Sequence, residues 1–116
     1  MIARIDHVSI AVKDHEKAER FFRDILGAIP GTSATDPATQ YFWKLYSLGD
    51  LSRLELISPT GPKSFLKGFL SDREAGVHHI TLQTPDIQKT MAHLKANKIP
   101  FFGYNVCNYL QHWLNI

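Results

Sequence analysis

Three side chains in this sequence have types and settings that suit metal chemistry: His7 in "IDHVSI", Glu55 in "RLELIS" and His79 in "GVHHIT". Two imidazoles and a carboxylate are ligands for Zn²⁺, Co²⁺, Ni²⁺, Mn²⁺ or Fe²⁺, and three protein ligands leave positions open for water or substrate. Each of the three lies in an alternating run, opposite the apolar positions. Val8, Ile10 and Val12 oppose His7, Leu54 and Leu56 oppose Glu55, and Ile80 and Leu82 oppose His79. By the same alternation His78 points the other way, where a hydrogen-bonded core histidine is expected. Taken singly, a His or Glu on the polar face of a strand is usually just solvated.

The elements that carry these residues recur. "DHVSIAVKD" (6–14) aligns on "HHITLQTPD" (78–86), which sets His79 72 residues after His7. The same shift matches Ser9 with Thr81, Asp14 with Asp86 and Lys17 with Lys89. In both copies a strand leads to an Asp helix cap and then an amphipathic helix, which is the order of an internal βα repeat. In the first copy Ala18, Phe21, Phe22, Ile25 and Leu26 form the apolar stripe, and Gly27 ends the helix. "PGTSATDPATQ" (30–40) reads as a loop with room for a short strand at either end, "YFWKLYSL" (41–48) as an aromatic strand, "GDLS" as a turn and "SFLKGFLSD" as a short helix. "IPFFGY" reads as one further strand after the second helix. His15 and His93 fall on helix positions expected to be exposed.

Composition narrows the function classes. The 116 residues suit one domain, and 44% hydrophobic with 21% charged residues is an ordinary globular balance. The net charge of +2 comes with no cluster of Lys and Arg, so no nucleic-acid partner is expected. Cys107 is the one cysteine, which excludes an internal disulfide framework. Charges at Arg4, Asp6 and Lys13 break up any signal-peptide core, and no apolar run reaches membrane-helix length. The expectation is a cytoplasmic protein with no membrane partner.

"IDHVSIAVKDHEKAERFFRDILG", "RLELISP" and "GVHHITLQTPDI" together resemble the vicinal-oxygen-chelate superfamily of glyoxalases, epimerases, extradiol dioxygenases and bleomycin-resistance proteins. The likeness runs from residue 2 to about residue 104. It is strongest toward methylmalonyl-coenzyme A epimerases, through "LELISPTGPKSFLKGFL" and the following "GVHHI". The resemblance implies an α+β fold of paired βαβββ modules around a metal cleft: residues 1–62 as the first module, 63–75 as a connection and 76–116 as the second. It implies metal binding by His7, Glu55 and His79, with Glu55 also the candidate catalytic residue that moves a proton. It also implies a homodimer and a small-molecule substrate, either an acyl-CoA thioester or a glutathione hemithioacetal. The function expected is that of a divalent-metal-dependent isomerase or lyase. The alternative is a non-catalytic binding module or an inactive truncated member of the same family. Tyr41, Trp43 and Tyr46 are candidate pocket residues, with core or dimer-interface packing at least as strong an alternative, and Lys63 and Lys67 are candidates for an anionic tail, with solvation their ordinary role.

The sequence also departs from the family. In the family a fourth ligand, a glutamate, comes from the last strand of the second module; Glu55 moved on by the repeat shift of 72 falls at position 127, past Ile116, so no counterpart is expected within these residues. The second module is expected to lack its last strands, leaving an open sheet edge that favours pairing. His112 is a remote candidate to complete the shell. The epimerases also resemble two-base enzymes, with one glutamate after the first helix. Here "AIPGTSATDPATQ" offers only Asp36, whose ordinary role is an Asp-Pro turn.

Overall fold

The computed structural model describes residues 1–50, 52–106 and 112–115, with the side chains of 102–106 and 112–115 excepted. Cys107 and the side chain of His112 therefore fall outside the described residues. By internal contacts the chain divides into two units, Ile5–Leu82 and a second made of Met1–Arg4 with Gln83–Ile116.

The larger unit is built on a five-stranded sheet. Strands β1 (Arg4–Val12), β2 (Ile29–Asp36), β3 (Tyr41–Leu48), β4 (Ser52–Pro59) and β5 (Ala75–Gln83) lie in the order β2-β3-β4-β1-β5. β1 and β4 are parallel, with Val8 opposite Leu54 and Ser9 opposite Glu55. β3 is antiparallel to β4, with Leu45 opposite Glu55 and Tyr46 opposite Leu54. Alternation fixes what each face carries. On one face Val12, Ala28, Tyr46, Leu54 and Leu56 form a buried cluster, completed by Ile10, Ala18, Phe22 and Leu48. On the other, Ala11 and Ile57 are buried against Leu66 and Leu70 of helix α2 (Leu66–Phe69) and its C-terminal turn. A leucine or isoleucine buried this fully contributes roughly 1.5–3 kcal/mol. Sheet centre and chemistry-bearing face are thus locked from both sides.

Helix α1 (His15–Glu19) starts where predicted. The Asp14 carboxylate accepts from the Lys17 backbone N–H at 3.0 Å. The helix then widens into a π-helical segment, Arg20–Ile25, which ends at Gly27 with φ +74°. A wider turn shifts the phase of every later side chain. Ala18 and Phe22 keep the core, while Ile25 is 71% and Leu26 53% exposed, so the predicted stripe is only half realised.

In "PGTSATDPATQ" the strand at the N-terminal end runs further than expected: Ile29–Asp36 pairs with β3 as an edge strand, and residues 37–40 are left as a turn. An edge position tolerates Pro30, whose missing N–H would break a central ladder. The register shifts between Pro30 and Ser33, and a Cβ on Gly31 would meet the Leu45 carbonyl oxygen at 3.3 Å.

In the smaller unit helix α3 (Ile87–Ala96) repeats the first helix's start. Asp86 accepts from the Lys89 N–H at 3.0 Å, at the positions the 72-residue shift assigns. Two strands follow, β6 (Phe102–Val106) and β7 (His112–Asn115), paired antiparallel with Asn105 opposite Trp113. The sequence predicted only the first. "HWLN" is short and of weak strand preference, and it is a strand through its pairing with β6. Among the described residues no helix is long and apolar enough to cross a membrane.

Candidate metal centre

Three strands bring His7, Glu55 and His79 together. One ligand atom from each lies within 4.8 Å of the others. His7 and Glu55 are buried near the middle of the sheet, and His79 on the outer strand β5 is the exposed member. His7 Nε2 stands 3.5 Å from Glu55 Oε2. Metal–nitrogen and metal–oxygen bonds of about 2.0–2.2 Å hold ligand atoms no more than roughly 4.4 Å apart. The donor set is therefore close to what a single ion needs, and its chemistry fits a borderline divalent metal.

Ser9 belongs to the same site, and the ligand pattern alone did not single it out. It lies opposite Glu55 in the β1–β4 register and is fully buried. Its hydroxyl donates to Glu55 Oε2 at 2.6 Å and lies 3.0 Å from His79 Nε2. The sequence signal was available, since Ser9 is two residues from His7 on one strand face and matches Thr81 in the repeat. A hydroxyl bridging the carboxylate and the second imidazole holds both side chains in converging rotamers.

The two imidazoles feel different fields. Burial disfavours a charge on His7, but its contacts with Glu55 and then Asp6 outweigh this and raise its pKa. Burial dominates at His79 and lowers its pKa, with only partial opposition from Glu55. Two neighbouring imidazoles with opposite shifts favour one proton between them rather than two.

An aromatic wall flanks the centre. Tyr41 meets Phe65 edge-on with ring centroids at 5.1 Å, Phe65 meets His78 at 5.7 Å, and Phe69 meets His78 at 4.9 Å. Burial, then the Glu55 charge, pushes the Tyr41 hydroxyl up to about 12, which keeps it neutral beside the site. His78 is thus half-buried against α2 and its leading residue, as an aromatic packing residue. Its Nδ1 also lies 2.9 Å from Nδ1 of His79, so one ring donates to the other. The expectation that Ile80 and Leu82 pack beside it does not hold, because both are exposed. His78→Ala is expected to cost about 1–2 kcal/mol in urea denaturation through loss of ring contacts, while Co²⁺-induced stabilisation persists.

Two further expectations are corrected. Tyr46 does not line this site: it pairs with Leu54 on the opposite face, and its hydroxyl donates to Glu19 Oε2 at 2.6 Å. His15 is not an exposed helix residue either. It is largely buried, edge-on to Phe42 with centroids at 4.7 Å, and its Nε2 lies 3.1 Å from Glu19. Both errors share one cause, a polar cluster around Glu19 that ties α1 to β3. Asp36 takes its ordinary role, accepting from the Ala38 and Thr39 N–H groups after β2.

The model of the glyoxalase/bleomycin resistance protein/dioxygenase superfamily matches residues 6–109. The chain belongs to this superfamily. Methylmalonyl-CoA epimerase from Mus musculus is 35% identical over 99 residues, covering 84% of this chain and 55% of the relative. The Homo sapiens protein is 36% identical, with 84% and 56% covered. The chain thus spans about half the length of these mammalian relatives. The ethylmalonyl-CoA/methylmalonyl-CoA epimerase of Cereibacter sphaeroides is 37% identical over 82% of this chain and 71% of its own length. Among solved structures, methylmalonyl-CoA epimerase from Mycobacterium tuberculosis superposes with a TM-score of 0.86 at 20% identity, covering 96% of this chain and 76% of that one. The Streptomyces coelicolor epimerase in complex with 2-nitronate-propionyl-CoA gives 0.84 at 22%, with 97% and 85% covered. The α+β glyoxalase-like fold of the superfamily is therefore the fold of this chain, which lies near the methylmalonyl-CoA epimerases within it.

Proposed function

We propose that this chain is a divalent-metal-dependent isomerase that moves a proton next to the carbonyl of an acyl-CoA thioester, with His7, Glu55 and His79 holding the metal. The observation that carries the reading is the convergence of those three donor atoms within 4.8 Å on one sheet face. Kinship with methylmalonyl-CoA epimerases supports the substrate class. A bound divalent ion would supply Lewis-acid stabilisation of the charge that develops on the substrate oxygens. Glu55 would take up or return the proton, and the Ser9 hydroxyl fixes the Glu55 oxygen it bonds. Tyr41, neutral and largely buried, forms an apolar wall that limits water near the carboxylate.

One carboxylate serves one face of a carbon, whereas epimerisation needs a proton removed from one face and returned to the other. Asp36 is occupied by its turn. Among the described residues, the His7, Glu55 and His79 group is the one that could hold a metal. Exchange of the substrate α-hydrogen is therefore expected to outpace inversion. The measurement is deuterium uptake from D₂O into methylmalonyl-CoA, with Co²⁺ present and absent, beside isomerisation of a glutathione hemithioacetal. Metal-dependent uptake into the thioester alone supports the proposal, and uptake into the hemithioacetal alone moves the substrate class to glyoxalase chemistry. A chain that binds Co²⁺ but turns over neither compound is the non-catalytic module of the alternative reading.

The same reading takes 1–62 and 76–116 as the two modules, and a homodimer as the assembly. β5 ends the strand order of the five-stranded sheet, and an outer strand offers its free edge to a partner.

A further inference from the structure

Asp6 precedes His7 on β1, and neighbouring strand residues normally turn their side chains apart. Here they meet: Asp6 Oδ2 lies 2.7 Å from His7 Nδ1. The other Asp6 oxygen accepts from the Arg53 guanidinium, which comes from β4, two residues before Glu55. His7 is 1% exposed, and neither water nor rotation readily substitutes for this bond. A carboxylate accepts only from a ring N–H, so the contact places the proton of neutral His7 on Nδ1. That leaves a lone pair on Nε2, the nitrogen that faces Glu55 at 3.5 Å.

We infer that Asp6, held in place by Arg53, is a positioning residue that fixes the tautomer and ring plane of His7 and so makes Nε2 a metal donor. The inference rests on the proposed reading of His7 as a ligand. A carboxylate behind a ligating imidazole raises the ligand's basicity and removes the cost of choosing a tautomer, and loss of such a partner typically weakens metal affinity 10–100-fold. Arg53 acts one step further out, because it orients Asp6 without touching the ring.

The test compares wild type, Asp6→Ala, Asp6→Asn and Arg53→Ala by Co²⁺ titration and by ¹⁵N NMR of the imidazoles at alkaline pH without metal. In the wild type His7 is expected as the Nδ1–H tautomer. Asp6→Ala is expected to shift it toward Nε2–H and to weaken Co²⁺ binding about 10–100-fold. Asp6→Asn retains an amide oxygen able to accept the same N–H and keeps the size of the side chain, so it recovers part of both signals. Arg53→Ala, which removes the ion pair but leaves the acceptor, weakens binding by a smaller factor. If the ion pair were merely structural, Asp6→Ala and Arg53→Ala would lower stability alike and leave the His7 tautomer unchanged, and that result overturns the inference. An unchanged Co²⁺ affinity in Asp6→Ala also overturns it. A wild type that binds no Co²⁺ removes the metal reading and this role with it, and it differs from the previous outcomes because the failure is already present before any substitution.

Discussion

On the proposed metal reading, Co²⁺ raises the Tm of the wild-type chain and His79→Ala is expected to abolish that rise. A ligand present at a hundred times its dissociation constant adds about 2.7 kcal/mol to the stability of the state that binds it. Two donors in place of three lose affinity steeply, so at the same Co²⁺ concentration the variant should show no shift in Tm. His79 lies on the outer strand and is the exposed member of the set, so its removal opens no core cavity. The variant should consequently fold, losing the Ser9 contact at 3.0 Å and the His78 contact at 2.9 Å. The measurement is thermal melting of wild type, His79→Ala and His78→Ala with and without Co²⁺. Retained stabilisation in His79→Ala together with its loss in His78→Ala would reverse the strand-facing assignment and remove His79 from the site.

The second large effect lies on the other sheet face and is an acid transition. Glu19 accepts from the Tyr46 hydroxyl at 2.6 Å, from Lys44 at 3.1 Å and from Arg23 at 2.9 Å. The Tyr46 bond, then Lys44 and His15, against the opposing effect of burial, hold its pKa at about 2 rather than 4.5. A carboxylate whose pKa is depressed on folding stabilises the folded state fully above its unfolded value, and that stability is lost as pH falls through the folded value. With each pKa unit worth about 1.4 kcal/mol, the group contributes roughly 3 kcal/mol at neutral pH as an upper figure. Its side chain is only 14% exposed, so solvent screening reduces this little. Urea denaturation of wild type should show stability falling steeply from about pH 4.5 toward 2. Glu19→Gln should be less stable at neutral pH and show a shallower fall. Parallel curves for the two proteins would mean that other carboxylates carry the acid transition.

How much of this was legible beforehand depends on the range of the interaction concerned. Both Asp helix caps were, because an N-cap is settled within three residues, and Asp14 and Asp86 make the same 3.0 Å bond. The facing of His7 and Glu55 was equally local, since alternation along a strand needs no partner. The extent of the edge strand Ile29–Asp36 was not, because its polar, Pro-containing sequence becomes a full strand only through pairing with β3. The π-helical widening after Glu19 has no signature in the apolar spacing, so the exposure of Ile25 and Leu26 went unseen.

The sequence by itself determined which strand face His7 and Glu55 occupy and the repeated order of strand, cap and helix. Those follow from covalent geometry and nearest neighbours. Only the tertiary structure decided that Ser9 bridges Glu55 and His79, that Asp6 turns toward the ring of His7 and that Tyr46 and His15 close on Glu19. Strand order and register bring residues dozens of positions apart to hydrogen-bond distance, and no local pattern encodes which of the available partners a buried polar group will find.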